Sequence, residues 1–329
     1  MDNTKFICSN NPDDLFLNSL VGAEFQSREF IEKKFSFSAP ALEANVRNTW
    51  FDGIRIGYSE WEFKKDQDFS WTGDLELVTL YFNLRGKVST DTSVYGYDFT
   101  FGNYQHNVSY APRSGGLIKS HDGKLVNFMV QFQTTKFLEL INDFGPALQQ
   151  FGESVSKGIP CRLSPENMYI NAALLGVINS ILHCPFEGGM RKIMLYARCL
   201  ELLVLQTDAS QKLQHAGSTI LKTDHDKECV LYAREYLLEH MDNPPTLPEL
   251  ARLSGINEFK LKNGFKQLFG NTVFGYLADQ RLELAANQMA DNSQSISSIA
   301  LKAGYSSVQH FNKAFRKKFG APPGKLRKY

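Results

Sequence analysis

The chain has 329 residues, with 36 basic and 35 acidic side chains, 43% hydrophobic residues and 12% aromatic residues. That apolar content can fill the cores of two domains and excludes a disordered or collagen-like chain. Uninterrupted apolar runs never reach the roughly 18 residues a membrane span needs, so none is expected.

The N-terminal stretch Met1–Asn11 is polar and lacks an apolar h-region, so no secretory signal is expected. Cys8, Cys161, Cys184, Cys199 and Cys229 are scattered and never form C-x-x-C. They predict reduced thiols in a cytoplasmic protein, with neither a disulfide framework nor a zinc site. From about Thr49 to Phe132 short segments rich in β-branched and aromatic residues follow one another. Ile54–Tyr58, Leu75–Leu84, Tyr95–Phe99 and Val126–Phe132 are examples, and several alternate at period 2. Closely spaced short strands predict a barrel or sandwich.

Near Thr135 the pattern changes to helical period. Phe137, Leu138, Ile141 and Phe144 share one face, and Asn171–Leu182 and Met190–Leu205 predict two further helices with wide apolar faces. Ser164-Pro165-Glu166 is a candidate start for the first of that pair. The polar stretch from Thr207 to Asp224 reads as an interdomain linker. The predicted domains are therefore residues 1–206, a linker over 207–224, and residues 225–329.

Beyond the linker every element is helical. Val230, Ala233, Leu237, Leu238 and Met241 line a first helix that Pro244-Pro245 ends. Thr246-Leu247-Pro248-Glu249 is a capping box with proline in the first turn. A short helix stops at Ser254-Gly255, and Asn257 opens another that Gly270 ends. This pair recurs: Ser295 opens a helix ending at Gly304, and Ser306 with Gln309 forms a second capping box for a helix ending at Gly320. Between the copies runs one long helix, Val273–Ala290.

Charge is uneven along the chain. Residues 225–329 carry 15 basic against 10 acidic side chains. After Asp291 come Lys302, Lys313, Arg316, Lys317, Lys318, Lys325, Arg327 and Lys328 with no further carboxylate. On charge alone this is either a solvated basic tail or a polyanion-binding surface. The repeat favours the second. Two short helices joined through a glycine turn make a helix-turn-helix unit, whose second helix enters the DNA major groove. Both second helices are basic away from their aromatic faces, with Lys260, Lys262 and Lys266 on one and Lys313, Arg316, Lys317 and Lys318 on the other. Joined by the central helix, they could enter successive grooves about 34 Å apart.

Residues 225–329 resemble the DNA-binding domain of the AraC/XylS transcription regulators. The resemblance is carried by Leu250-Ala251, Ser254-Gly255, Leu261, Phe265-Lys266, Tyr276-Leu277, Arg281-Leu282, Ala285, Ile299-Ala300, Ala303-Gly304-Tyr305, Phe311, Phe315-Arg316, Phe319-Gly320 and Pro322-Pro323. The stretches Gly264–Gly270 and Val273–Leu277 are most similar to the branch that includes siderophore-responsive iron regulators. The resemblance implies base contacts from Phe259, Lys262 and Asn263 in the first recognition helix. In the second it implies Val308, Gln309, His310, Asn312 and Lys313. Asn263 departs from the arginine many members carry there. Gln309 can pair with adenine, Lys313 can reach guanine, and Phe259 or Val308 can pack on a thymine methyl. Lys266, Arg316 and Lys317 are the expected phosphate contacts. Promoter DNA and RNA polymerase are the implied partners.

The fold class predicted is α+β: a cupin-like β-barrel or sandwich, then helices, then an all-α domain with two helix-turn-helix units. No G-x-S-x-G, P-loop or dinucleotide fingerprint occurs, so the chain is expected not to be an enzyme and to need no cofactor. His106 and His121 are the only histidines of the strand region and no H-x-H occurs, which disfavours a metal site. Trp61, Trp71, Tyr81, Tyr95, Tyr97, Phe101, Tyr104 and Tyr110 form a dense aromatic set. Arg85, His106, Arg113 and Gln131 could orient a small-molecule effector among them. The competing reading is a filled barrel that serves only dimerisation or partner docking. A homodimer is expected through residues 136–206, notably Ile193, Leu195, Leu200, Leu203 and Leu205.

Overall fold

The structure, a computed structural model, describes residues 22–39, 42–64, 67–73, 75–91, 99–112, 114–120, 123–142, 145–215, 220–221, 223–289 and 294–326. Several positions named above lie outside the described residues: Met1–Asn11 with Cys8, Tyr95, Tyr97, Arg113, His121, Phe144, Asp291, Arg327 and Lys328. The side chains of Trp71 and Lys325 lie outside them as well. The chain divides into two compact units, residues 1–170 with 184–215 and residues 171–183 with 216–329.

In the first unit, helix α1 (Gly22–Gln26) precedes ten strands: β1 (Ile31–Ala39), β2 (Leu42–Phe51), β3 (Ile54–Phe63), β4 (Gln67–Gly73), β5 (Leu77–Arg85), β6 (Val88–Asp91), β7 (Phe99–Phe101), β8 (Gln105–Ala111), β9 (Ser114–Ser120) and β10 (Lys124–Gln133). Helices α2 (Thr134–Leu140) and α3 (Pro146–Ser156) and the short strands β11 (Cys161–Arg162) and β12 (Met168–Tyr169) follow. The large sheet has the order β1-β2-β3-β10-β5-β8-β11, with β12 also on β8, and the smaller sheet the order β4-β9-β6-β7. All described pairings are antiparallel.

Among the described residues strands begin at Ile31, well before the expected Thr49. β1 is an edge strand. Charged Glu32, Lys33 and Lys34 interrupt its alternation, which hides the apolar signal. The β2–β3 turn is set locally. Phe51 pairs with Ile54, and Asp52 and Gly53 both take positive φ, 46° and 76°. That is the geometry of a tight type I′ hairpin, for which Asp-Gly is a favoured pair.

The large sheet is buried on both faces, and the faces differ in chemistry. One carries Ile54, Ile56, Val78, Leu80, Phe82, Phe128, Val130 and Phe132, all buried. Phe132 meets Phe137 of α2, which meets Phe151 of α3, with ring centroids 6.2 and 5.7 Å apart. Helix α5 (Gly188–His215) adds buried Leu195, Cys199, Leu202 and Leu203. Burial of each large side chain stabilises the unit by about 1.5–3 kcal/mol.

Two expectations change here. Ser164-Pro165-Glu166 does not start a helix: Ser164 is buried, and its N–H donates to Asn107 Oδ1. The cap of α4 (Ala172–Leu182) is Asn171, whose Oδ1 accepts the Leu174 N–H at 3.0 Å. Linker composition also began too early, because α5 continues through His215. Ser210 there is buried and donates to the Leu163 carbonyl, so its polarity is satisfied internally rather than by solvent.

The second unit contains α4 and the C-terminal helices α6 (Asp224–Glu239), α7 (Leu247–Leu253), α8 (Glu258–Phe269), α9 (Val273–Gln288), α10 (Ile296–Lys302), α11 (Val308–Phe319) and α12 (Pro323–Leu326). Helix α4 falls in this unit, and its Leu174, Leu175, Val177, Ile178 and Ile181 are buried. Its sequence had grouped it with the sheet.

Candidate nucleic-acid interface and inner sheet face

The first helix pair, α7 and α8, is built from local signals. Glu249 accepts the Thr246 N–H at 2.8 Å, the reach-back bond of a capping box, and it also accepts from the Thr246 hydroxyl at 2.8 Å. Gly255 and Gly270 end the two helices at φ 68° and 70°, left-handed values that favour glycine. Asn257 caps α8 by accepting the Lys260 N–H at 2.8 Å. Leu261, Phe265, Leu268 and Phe269 turn inward and are buried. Gly264 lets α8 approach closely, since a Cβ there would lie 2.7 Å from Val230 of α6.

The outward face of α8 is only weakly cationic. Phe259 is 67% exposed, and Lys262 and Lys266 are exposed. Lys260 is committed: its Nζ lies 2.8 and 2.9 Å from the two Asp226 carboxylate oxygens, and it holds that carboxyl below its usual range. Lys262 is 3.4 Å from Glu258 on the same helix. Asn263 is half-buried and its amide donates to the Phe259 carbonyl at 2.8 Å, which leaves a short side chain with little reach.

The second pair, α10 and α11, repeats the skeleton. Ser295 accepts the Ser298 N–H at 3.1 Å, and Gly304 and Gly320 take φ 76° and 75°. The cap of α11 is Ser307, accepting the His310 N–H at 3.2 Å, so the expected Ser306–Gln309 box lies one residue early. Phe311 and Phe315 are buried, and Phe315 meets Phe319 at 4.5 Å. Gln309, His310, Lys313, Arg316 and Lys317 are exposed, and α11 carries no acidic side chain. Two residues expected to contact bases are half-buried rather than exposed. Val308 is half-buried and packs against the core with Ile299 and Phe315. Asn312 is also half-buried. Lys318 is tied down 3.1 Å from Glu283 and donates to the Asp279 carbonyl, so it is not an outward cation.

In the first unit, strand register sorts the effector candidates by sheet face. His106 and Tyr110 fall on the apolar, helix-covered face. His106 Nδ1 is 2.9 Å from Gln206 Nε2 of α5, and burial lowers its pKa to about 3. Trp61 is on the other, inner face but belongs to its packing: it donates to Ser59 at 2.7 Å and stacks on Phe63. Arg85 is exposed at its strand end. Tyr81 and Gln131 do share the inner face. Tyr81 is hydrogen-bonded to Asn127, and desolvation raises its pKa.

Sequence reasoning missed most of what surrounds Gln131. Asn48, Trp50, Arg55, Ser59 and Asn127 are all buried and all lie on the same inner face. Polar positions at period 2 inside otherwise apolar strands were the available signal. Among the described residues no cluster of His, Cys, Asp and Glu could hold a metal ion, and no helix is long and apolar enough to cross a membrane.

Two family models match the chain: "Regulatory protein PchR N-terminal domain" over residues 45–221, and "Helix-turn-helix domain" over residues 250–329. The chain belongs to the AraC/XylS family of transcription regulators, with a PchR-type N-terminal domain. Regulatory protein PchR of Pseudomonas aeruginosa is 34% identical over 127 residues, covering 38% of this chain and 42% of that protein, so the alignment spans less than half of that relative's length. Regulatory protein SoxS of Salmonella typhimurium is 32% identical over 93 residues, 28% of this chain and 87% of that one. Thermoregulatory protein LcrF of Yersinia pestis is 23% identical over 256 residues, 75% of this chain and 88% of that one. The family is one of transcription regulators rather than enzymes.

Proposed function

We propose that the chain is a cytoplasmic, homodimeric regulator that binds promoter DNA through α8 and α11, works with RNA polymerase, and answers to a small-molecule effector held on the inner face of the N-terminal sheet. The observation that carries the DNA-binding arrangement is the duplicated unit with its exposed second helix. On α11, Lys313, Arg316 and Lys317 stand clear of every carboxylate among the described residues. Gln309 and His310 lie in the first turn, where an inserted helix meets base edges, and Arg316 and Lys317 lie further along, nearer the backbone. Phe259 and Lys262 are the corresponding outward residues of α8, with Lys266 toward phosphate. Val308, Asn263 and Asn312 contribute to shaping the two helices.

Dimerisation rests on α5. Ile193 is 72% exposed, and Met190 and Val204 join it as large apolar side chains in water. Leu195 and Leu203, expected at the interface, are already buried in the single chain.

Selection of the full chain on random duplex DNA tests the arrangement. The expected product is a motif of two half-sites about one helical turn apart, with affinity falling steeply as salt rises. A single contiguous half-site, insensitive to changes in α8, would remove α8 from the interface.

A further inference from the structure

The inner sheet face contains a cation with no counter-ion. Arg55 is 4% exposed near the start of β3. Its Nε and Nη2 donate to one neutral oxygen, Asn48 Oδ1, at 3.2 and 2.9 Å, and its Nη1 donates to another, Gln131 Oε1, at 2.6 Å. The remaining neighbours are Met129 Sδ at 3.9 Å and the Trp50 ring at 5.9 Å. Lys33 stands over the same ring at 5.9 Å but is paired with Glu24, so those two charges cancel. Among the described residues no carboxylate reaches Arg55. Burial without one lowers its pKa to about 9. A guanidinium held dry by neutral amides is costly, and such groups are normally paired.

Two further donors are stranded beside it. Asn48 gives its oxygen to Arg55, and its Nδ2 has no partner although the residue is fully buried. Trp50 Nε1 is likewise buried and without a partner. Asn48 Nδ2 and Trp50 Nε1 are thus donors in excess beside one positive charge; the buried acceptors left without a partner include Glu24 Oε2, on the carboxylate that Lys33 engages, and Asn83 Oδ1 further along the inner face, and neither bonds to Arg55. On either side the inner face is apolar, with Leu42, Trp61, Phe63 and Phe101 at one end and Phe25, Trp50 and Leu77 at the other.

We propose that this band anchors a monoanionic effector: a carboxylate seats against Arg55, Asn48 Nδ2 and Trp50 Nε1, and the apolar part of the molecule lies along the flanking clusters. The proposal rests on reading the inner face as the effector chamber. One cation with neutral neighbours balances one negative charge, which favours a carboxylate over a phosphate dianion. The planar fork of the guanidinium also matches a carboxylate better than a spherical ion.

The test uses the full chain with phenylacetate and octanoate, their primary amides, chloride and inorganic phosphate at matched ionic strength. Thermal unfolding and calorimetric titration are the readouts, since binding to the folded form alone raises its stability. Expected is carboxylate binding about tenfold or more tighter than that of the amide. Arg55→Gln should erase this preference. Asn48→Asp supplies the missing carboxylate from within; it should raise the unfolding midpoint of the ligand-free chain and abolish carboxylate binding. It also decides the matter if Arg55→Gln fails to fold. Amides binding as tightly as carboxylates, indifferent to Arg55→Gln, would overturn the anionic anchor and leave the chamber standing. An equal response to chloride, or a stronger one to phosphate, would overturn it too. Failure of both carboxylates and amides to bind would overturn the anchor and the chamber together.

Discussion

Gly255, Asn257 and Gly270 in the first helix-turn-helix unit occupy the places of Gly304, Ser307 and Gly320 in the second, with the same capping bonds and the same left-handed φ. Inward side chains follow suit: Leu261, Phe265 and Phe269 in one correspond to Phe311, Phe315 and Phe319 in the other. The outward faces diverge. On α8 one lysine is neutralised by Asp226 and another faces Glu258, while α11 presents three exposed cations and no acid. Copies of one skeleton have thus been given different electrostatic weight. The second is suited to supply most of the charge-driven affinity, and the first to contribute shape and an exposed aromatic, Phe259.

The comparison can be broken first at the skeleton. Phe315→Ala and Phe265→Ala should each cost about 3–5 kcal/mol, the usual loss for a buried ring. Denaturant unfolding of the full chain measures both. A loss below about 1 kcal/mol in either would mean that the two cores are not equivalent.

Base reading comes next in size. Lys313→Ala should cost about 1–3 kcal/mol on the selected site and little on scrambled DNA. Arg316→Ala should weaken both DNAs alike and reduce the salt slope by about one unit. Equal weakening of both DNAs by Lys313→Ala would make Lys313 a phosphate contact and shift α11 in the groove.

The smallest effect sharpens the contrast between the copies. Asp226→Asn releases Lys260, so the salt slope should steepen by up to about one unit while the fold persists. Isotherms over a salt series read this directly. An unchanged slope would show that a freed Lys260 does not reach the backbone, and that the first unit's weak charge is not due to Asp226.

Much of the DNA-binding unit was legible beforehand because its signals are local. A glycine with positive φ, an asparagine or serine accepting an N–H three residues on, and phenylalanines at helical spacing each act within one or two turns. The misplacements there are of the same local kind: the cap of α11 moved by one residue because two serines, Ser306 and Ser307, compete for it. The sheet was less legible. β1 was missed because its charges mask its alternation, and His106 was assigned to a ligand chamber although its strand register turns it toward α5.

By itself the sequence determined the fold class, the two helix-turn-helix units, their terminators and every cap but that of α11, and the family they resemble. It also determined that the main run of strands precedes the longer helices in the N-terminal part. Only the tertiary structure decided which cations are free, that α4 belongs with the C-terminal helices, and that Arg55 is buried among neutral groups. The reason is range. Capping and periodicity depend on neighbours a few positions away, whereas a charge gains or lacks its partner across separations such as the 34 residues between Asp226 and Lys260 or the 76 between Arg55 and Gln131. No local pattern encodes a pairing at that distance; strand register and helix packing do.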